Sequence, residues 1–361
     1  MAPIKIGIVG LSAEGAWASR SHLPYLQRTD QYKIVALQNS SQESAQKAAA
    51  KYSLSDAATY GDIDSLVKDA NVDLVAVSVK VPHHYELVKP ALEAQKDVFV
   101  EWPLAANLKQ AEELVALARS QKVKTLVGLQ ARQNPSVRKA RELVNNGELG
   151  QILSTTLVGY GGLFGPQVPS IFEYGLPIEH GANLLTIPAG HAIDALCYVV
   201  GEFRDLQATL VNIRPEVPVV DVKSGSVRTL KKTSHDHVSV QGNLERGGLA
   251  TVVYKPGTSD TGRDFYWEIV GTKGTLVLEG PNGHVQMFHP TLKFAKAGTG
   301  ELKEIPVEVA SDFSVNVGNA WDAFAGKGEG SVTTFEDALI RHKLIDAIYR
   351  SNEKGTRESY L

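Results

Sequence analysis

Ile6-Gly7-Ile8-Val9-Gly10-Leu11-Ser12-Ala13-Glu14-Gly15-Ala16-Trp17 is the stretch on which the reading of this chain turns. A short apolar run ends in Gly10, and Gly15 follows five residues later, where a helical pattern begins. A glycine at the first position permits a tight turn. One at the last permits close packing of helix on strand. The N–H groups exposed at such a helix start favour a pyrophosphate. Ser12 stands where the usual pattern has its middle glycine, so a turn that binds nothing remains the alternative.

Working outward, apolar runs at 4–9, 34–37, 74–79, 98–100 and 125–129 are rich in Val and Ile and continuous rather than alternating. Strands buried on both faces of a parallel sheet read this way. Helical patterns at 42–52 and 108–121 lie between them, with Ala45, Ala48 and Ala49 on one stripe and Ala111, Leu114, Val115 and Ala118 on the other. The alternation predicts a doubly wound Rossmann sheet over residues 1–130. After about residue 150 the period changes to two, at 152–158, 206–213, 237–245, 249–254 and 266–270, with glycine-rich turns between. Helical patterns follow at 135–146, 191–200, 316–326 and 335–352. Residues 131–361 therefore read as an α+β domain built on a large, mostly antiparallel open sheet. The fold class expected is α/β, in two domains.

The composition fits. The 361 residues suit two domains of roughly 100–200 residues each. Net charge is −3, from 37 basic and 40 acidic residues, so no general attraction to nucleic acid or anionic lipid is expected. Cys197 is the one cysteine and can form no intrachain disulfide, which fits a reducing compartment. The N-terminal apolar run is too short for a signal-peptide core and reads as a first strand. No apolar run reaches the ~18 residues a membrane span needs. The expectation is a cytoplasmic protein without membrane or direct nucleic-acid partners. Histidines are scattered, and neither HExxH nor a cysteine cluster occurs, so no metal site is expected.

A dinucleotide's adenosine ribose would lie past the second run, at Gln38-Asn39-Ser40-Ser41. An acid there would bond the 2′-hydroxyl of NAD and repel a 2′-phosphate; none is present. Ser40 and Ser41 can bond a phosphate, which places NADP slightly ahead of NAD. They can equally cap the helix that starts near Gln42.

Several segments resemble one family. KIGIVG (5–10), VEWPLA (100–105), GLQARQNP (128–135), RELVNNGELGQI (141–152), GHAIDALCYVVG (190–201), IVGTKGTLVLEG (269–280) and the closing EDALIRHKLIDAIYRSNEKG (336–355) look like the glucose-fructose oxidoreductase, inositol dehydrogenase and rhizopine-catabolism family of NAD(P)-dependent sugar oxidoreductases. GLSAEGAWASRSHLPYL (10–26), VKVPHHYE (79–86), FVEWPLA (99–105) and the GHAID segment after LLTIPA are similar to a subgroup, the galactose-pathway repressors of yeasts and their fungal relatives. Those repressors keep the dinucleotide-binding fold and act by binding a transcription activator. The present chain is shorter than they are and lacks their long C-terminal-domain insertions.

The resemblance implies cofactor contacts at Gly10, Ser12, Glu14, Gly15, Trp17, Ser40, Ser41, Val79, His84, Glu101, Trp102 and Gln130. It also implies a departure. Where active members carry the lysine of Glu-Lys-Pro, this chain has Trp102, which donates only an indole N–H. Four residues before His191, where the family tends to carry an aspartate, stands Ile187. His191 and Asp194 remain as candidates for catalysis, a histidine suiting proton transfer near neutral pH and an aspartate three residues on sharing its helix face. A helix-start histidine bonded to backbone is the alternative. His84 matches a family histidine near the cofactor, and Trp17 is open to packing at the nicotinamide end or in the core. The glycine-rich stretch 159–190 reads as a loop carrying Tyr160, Glu179 and His180 toward substrate, with a plain surface loop as the alternative. Arg132 joins this substrate set, as does Lys255, at a strand end, as a substitute for the absent lysine.

Two functions thus stand ahead of the rest. One is an NAD(P)-dependent oxidoreductase acting on a sugar, polyol or similar hydroxyl or carbonyl compound. The other is a catalytically silent, dinucleotide-binding transcriptional regulator, nuclear and with a protein partner. A third reading uses the bound cofactor for elimination or epimerisation. An uncovered face of the second sheet implies a homodimer or higher homo-oligomer.

Overall fold

Residues that are buried on both faces of a sheet need no polar alternation, and the Val/Ile runs of the N-terminal third form such a sheet. The computed structural model describes residues 2–309 and 314–361. In it the strands β1 (Ile4–Val9), β2 (Tyr32–Gln38), β3 (Ala58–Tyr60), β4 (Leu74–Val77), β5 (Asp97–Glu101) and β6 (Thr125–Gly128) pair in the order β3-β2-β1-β4-β5-β6. All pairings are parallel. The order reverses between β1 and β4, so the ligand crevice of such a sheet lies at the carboxyl ends of those two strands. β3 escaped the sequence reading because three half-buried residues at an edge carry no periodic signal.

The chain divides into two compact units, one of residues 1–130 with 311–339, the other of residues 131–310 with 340–361. The chain leaves the first unit after residue 130, and a later stretch returns to it. Two local needs explain this. The helix Val315–Phe324 contributes Val317, Ala320 and Trp321 to a core otherwise made of Leu23, Tyr25, Tyr32, Phe99 and their neighbours. The outer edge of β6 finds a partner when the Val127 N–H donates to the Thr333 carbonyl at 2.8 Å. The Tyr32 hydroxyl also donates to the Trp321 carbonyl at 2.7 Å.

The second unit contains β7 (Ile152–Tyr160), β8 (Val168–Pro169), β9 (Phe203–Val211), β10 (Glu216–Val220), β11 (Val227–Lys231), β12 (His237–Leu244), β13 (Leu249–Lys255), β14 (Phe265–Gly271), β15 (Gly274–Gly280), β16 (Thr291–Lys296) and β17 (Leu302–Glu304). Eight of these form one sheet in the order β17-β16-β15-β14-β7-β13-β12-β9, and β11-β10-β8 form a small second one. The large sheet is antiparallel except between β7 and β13. Its alternation is the expected one. Leu157, Val240, Val252, Trp267 and Leu276 are buried, while Thr156, Gln241, Val253, Glu268 and Val277's neighbour Thr275 lie on the more exposed side. The buried Trp267 indole donates to Thr155 Oγ1 at 2.8 Å, so this inner-face polar pair is satisfied.

The stretch 159–190, expected as a loop, contains β8 and three short helical turns. Short turns at Ser170–Gly175, Ile178–His180 and Leu185–Ala189 lead into the helix Gly190–Val200. Residues Ile178–Val200 are long and apolar enough to cross a membrane by length and composition, which corrects the reading that no such run occurs; 89% of the apolar window is buried inside the protein, as in a core helix. The glycines at 159–165 misled the reading. Leu176, Leu184, Leu185 and Ala189 are buried, and this burial organises the segment.

Candidate functional site

Gly10 and Gly15 both have left-handed backbone, φ +95 and +84, but for different local reasons. A Cβ on Gly10 would fall 2.4 Å from the Ser78 carbonyl oxygen and 2.7 Å from Val79 Cγ1. Besides the turn expected of it, Gly10 is therefore required by how the chain after β1 passes the end of β4. A Cβ on Gly15 would meet nothing within 4 Å, so close helix packing does not explain it; the backbone conformation does. Gly10→Ala should accordingly destabilise the first unit by at least about 1–3 kcal/mol through backbone strain alone. An unchanged midpoint in thermal denaturation would overturn this account.

Between the two glycines, Ser12 Oγ accepts from the Glu14 N–H at 3.1 Å and the Ser12 carbonyl accepts from the Gly15 N–H. The Tyr52 hydroxyl donates to the Ser12 carbonyl at 2.8 Å, and Lys51 Nζ donates to the Ala13 carbonyl. The loop is thus braced from the helix Gln42–Lys51. Among the described residues no partner engages the amides of Leu11, Ser12 and Ala13, which suits an anion at the crevice. Three buried side-chain oxygens at carboxyl ends of strands also lack partners among the described residues: Gln38 Oε1 at the end of β2, Ser78 Oγ after β4 and Gln130 Oε1 after β6. Buried polar atoms are normally satisfied, so these residues fit a polar ligand laid along the sheet edge, as a dinucleotide would be.

The other cofactor-side candidates all fall in this unit. Ser41 caps the helix Gln42–Lys51 by accepting from the Ser44 N–H, and Ser40 and Glu14 are exposed. Asn39 donates to the Leu11 carbonyl at 2.9 Å, tying the end of β2 to the loop. Val79 and Trp17 are half-buried, Trp17 against the core. His84 is fully buried at the head of the helix His84–Glu93, with Nδ1 2.8 Å from the Pro103 carbonyl and Nε2 3.1 Å from the Val79 carbonyl. Burial lowers its pKa despite those acceptors. It serves as a strut between the ends of β4 and β5. Trp102 is buried at 4% exposure, so the position usually held by a lysine contributes no titratable group. Glu101 Oε1 lies 2.5 Å from Nε2 of His22, and the Trp321 indole N–H donates to His22 Nδ1 at 3.2 Å. The sequence reading missed His22 and Trp321; no local signal links residues 299 positions apart.

In the second unit, Asp194 is fully buried and receives a two-pronged pair from Arg132, Nε to Oδ2 and Nη2 to Oδ1, both 2.8 Å. Arg341, also buried, adds a contact at 3.4 Å and pairs with Glu202 through its other end. Arg132 stacks over the Tyr198 ring at 5.4 Å. Asp194 therefore makes a structural ion pair and no bond to His191, and Arg132 is held within the protein by Asp194. An ionised acid on a helix inside an apolar core is costly unless paired, and here the arginines supply the pairing.

His191 itself is 4% exposed, and its Nδ1 has no partner among the described residues. Burial, with a smaller contribution from His284, drops its pKa to about 3. His284 Nδ1 accepts from Gln286 Nε2 and its Nε2 donates to the Gly161 carbonyl at 3.0 Å. Tyr160 precedes that glycine. Lys255 Nζ donates to the Tyr160 hydroxyl at 3.4 Å from the end of the adjacent parallel strand. His284 and the Lys255–Tyr160 pair are thus joined through the Gly161 turn. Glu179 and His180 are not part of these contacts: Glu179 is exposed in a short turn, and His180 Nδ1 bonds the Tyr174 carbonyl at 2.9 Å.

Residues 4–129 match the oxidoreductase family with an NAD-binding Rossmann fold, and residues 135–280 match the Gal80p C-terminal domain. Over 366 aligned residues the chain is 34% identical to the dehydrogenase aclE of Aspergillus oryzae, covering 99% of this chain and 98% of that one. The chain belongs to this NAD-binding oxidoreductase family. Within the family it carries the Gal80p type of second domain. It is 29% identical to the galactose/lactose metabolism regulatory protein GAL80 of Saccharomyces cerevisiae, across 98% of this chain and 94% of that protein. The crystal structure of Gal80p from Kluyveromyces lactis superposes with a TM-score of 0.89 at 30% identity, over 99% of this chain and 91% of that one. The family and subgroup resemblance read from the sequence is borne out, and the first unit is an NAD(P)-binding domain of this oxidoreductase family.

Proposed function

We propose that this protein oxidises a hydroxyl, or reduces the corresponding carbonyl, of a small sugar-like or polyol substrate with NADP or NAD. The observation that carries the reading is His191, a buried imidazole held neutral with one ring nitrogen unpartnered. The dinucleotide, when bound, supplies the hydride acceptor or donor. In the oxidative direction, where the neutral imidazole is the form required, the unpartnered His191 Nδ1 accepts the hydroxyl proton. Tyr160 and Lys255 offer hydroxyl and ammonium groups for orienting an oxygen-rich substrate. Relatives named as dehydrogenases support the reading: aclE, and the levoglucosan dehydrogenase of Pseudarthrobacter phenanthrenivorans, 25% identical over 257 residues, 68% of this chain and 64% of that one. The lack of a carboxylate at Gln38, Asn39, Ser40 and Ser41 supports NADP ahead of NAD. A cytoplasmic homodimer fits the half-exposed outer side of the eight-stranded sheet. Light scattering tests the dimer, and a monomer at micromolar concentration would remove it.

The test is a panel of sugars and polyols followed at the nicotinamide absorbance with both cofactors. Reduction or oxidation of a panel member is expected. A pH profile adds a sharper expectation. Because His191 titrates near 3 rather than near 6.5, kcat/KM should show no acidic limb around pH 6.5. A limb there that vanishes in His191→Gln would overturn the neutral-imidazole account.

Two observations favour a second reading, a nuclear regulator that binds the dinucleotide without turnover: Trp102 replaces the lysine, and Asp194 is wholly engaged by arginines. Tight cofactor binding with no turnover of any panel member would decide for it and direct the search to a protein partner.

A further inference from the structure

Glu101 closes β5, and its surroundings are more constrained than a cofactor-edge carboxylate requires. Its Oε1 lies 2.5 Å from His22 Nε2. The other ring nitrogen, Nδ1, faces the Trp321 indole N–H at 3.2 Å. An indole N–H only donates, so Nδ1 is the bare nitrogen. The proton of the neutral ring then sits on Nε2 and is donated to Glu101. The tautomer is set by the tryptophan, and the acceptor by the tautomer. His22 is 3% exposed and Trp321 not at all. Phe99 packs edge-on against the His22 ring at 5.0 Å and against Trp321 at 4.5 Å, which fixes the plane of the imidazole.

The second carboxylate oxygen is placed just as closely. A Cβ on Gly128, the last residue of β6, would fall 2.6 Å from Glu101 Oε2. The carboxylate therefore lies over bare backbone on one side and against His22 on the other. Its side chain keeps 12% exposure, so the group is pinned without being sealed. Topology supplies the direction. With the pyrophosphate loop after β1 and the adenosine ribose past β2, the other half of a dinucleotide extends along the ends of β4, β5 and β6. Glu101 stands on that half. A carboxylate is acceptor-only, and the donors of that half are the ribose hydroxyls and the carboxamide N–H groups.

We propose that His22, oriented by Trp321, is a positioning residue that holds the Glu101 carboxylate as the hydrogen-bond acceptor for the nicotinamide-ribose end of the cofactor. The inference rests on the reading of the first unit as the NAD(P)-binding domain. It assigns the stretch 311–339 a part in the site as well as in the core, since Trp321 arrives on the helix Val315–Phe324.

Calorimetry with the full-length protein separates the possibilities. Each variant is titrated with NADP and NAD, and with ADP and 2′-phospho-ADP, which keep the adenosine half and lack the nicotinamide riboside. His22→Leu should weaken dinucleotide binding about tenfold or more, the scale of a hydrogen bond to a charged group, and leave ADP and 2′-phospho-ADP within about twofold. Trp321→Phe, which removes the N–H that sets the tautomer, should give a smaller loss in the same direction. His22→Gln places an amide N–H where Nε2 stood and should recover most of the dinucleotide affinity. Equal losses for both ligand classes, no loss in His22→Leu, or failure of His22→Gln to recover affinity while it melts like the parent would each overturn the proposal. If the parent protein binds neither class, the cofactor reading itself falls, and this inference with it.

Discussion

Asp194→Leu is expected to lower folding stability by about 3–5 kcal/mol, because it removes one member of a buried ionic cluster and leaves its partners charged. Asp194 is fully buried and shared between Arg132 at 2.8 Å and Arg341 at 3.4 Å. Arg341 is 1% exposed and would keep its pair with Glu202, while Arg132 would keep its stacking on Tyr198. Neither guanidinium can discharge by losing a proton. Denaturant unfolding measures the loss. A change under about 1 kcal/mol would mean that the arginines find new acceptors or water, and the cluster would not be the closed network described here. Asp194→Asn, which keeps shape and one acceptor, should fall between leucine and the parent. The experiment also separates two roles for this residue. A catalytic orienter of His191 would lose turnover with little change in stability; a structural anion loses stability first.

His191→Ala is expected to reduce turnover by about 10²–10⁴-fold, the usual range for a lost proton-transfer group, with dinucleotide affinity within about twofold of the parent. Affinity should hold because the loop, the carboxyl-end oxygens and Glu101 all belong to the first unit, whereas His191 lies in the second. Steady-state kinetics on the best substrate of the panel, with calorimetry on the same preparation, checks both parts. Unchanged turnover would move the proton transfer elsewhere, with the Lys255–Tyr160 pair next in line.

How far the sequence reached depends on the range of the interaction that had to be read. The parallel sheet was legible because burial on both faces leaves continuous Val/Ile runs, and the second sheet because burial on one face leaves alternation. The helix over Leu108–Gln121 was read to the residue, since an apolar stripe and the chain breaks beside it are local. Gly10 was identified as the glycine that the turn requires, and its φ of +95 agrees; the close backbone carbonyl of Ser78, just past β4, is a neighbour that the loop's own sequence does not name. His191 and Asp194 looked like a couple because three residues on a helix share a face. Whether they bond depends on what else reaches the aspartate, and two arginines, one from 62 residues away, reach it instead.

By itself, then, the sequence determined the two sheets, the glycine-rich loop that receives a dinucleotide, the family and the candidate side chains, because each rests on periodicity or on a contiguous motif. The tertiary structure alone decided that residues 311–339 return to the first unit, that Trp321 sets the proton on His22, and that Asp194 belongs to the arginines. Those outcomes follow from hydrogen bonds and ion pairs between positions far apart in the chain, and a buried donor or charge takes whichever partner the fold brings within about 3 Å.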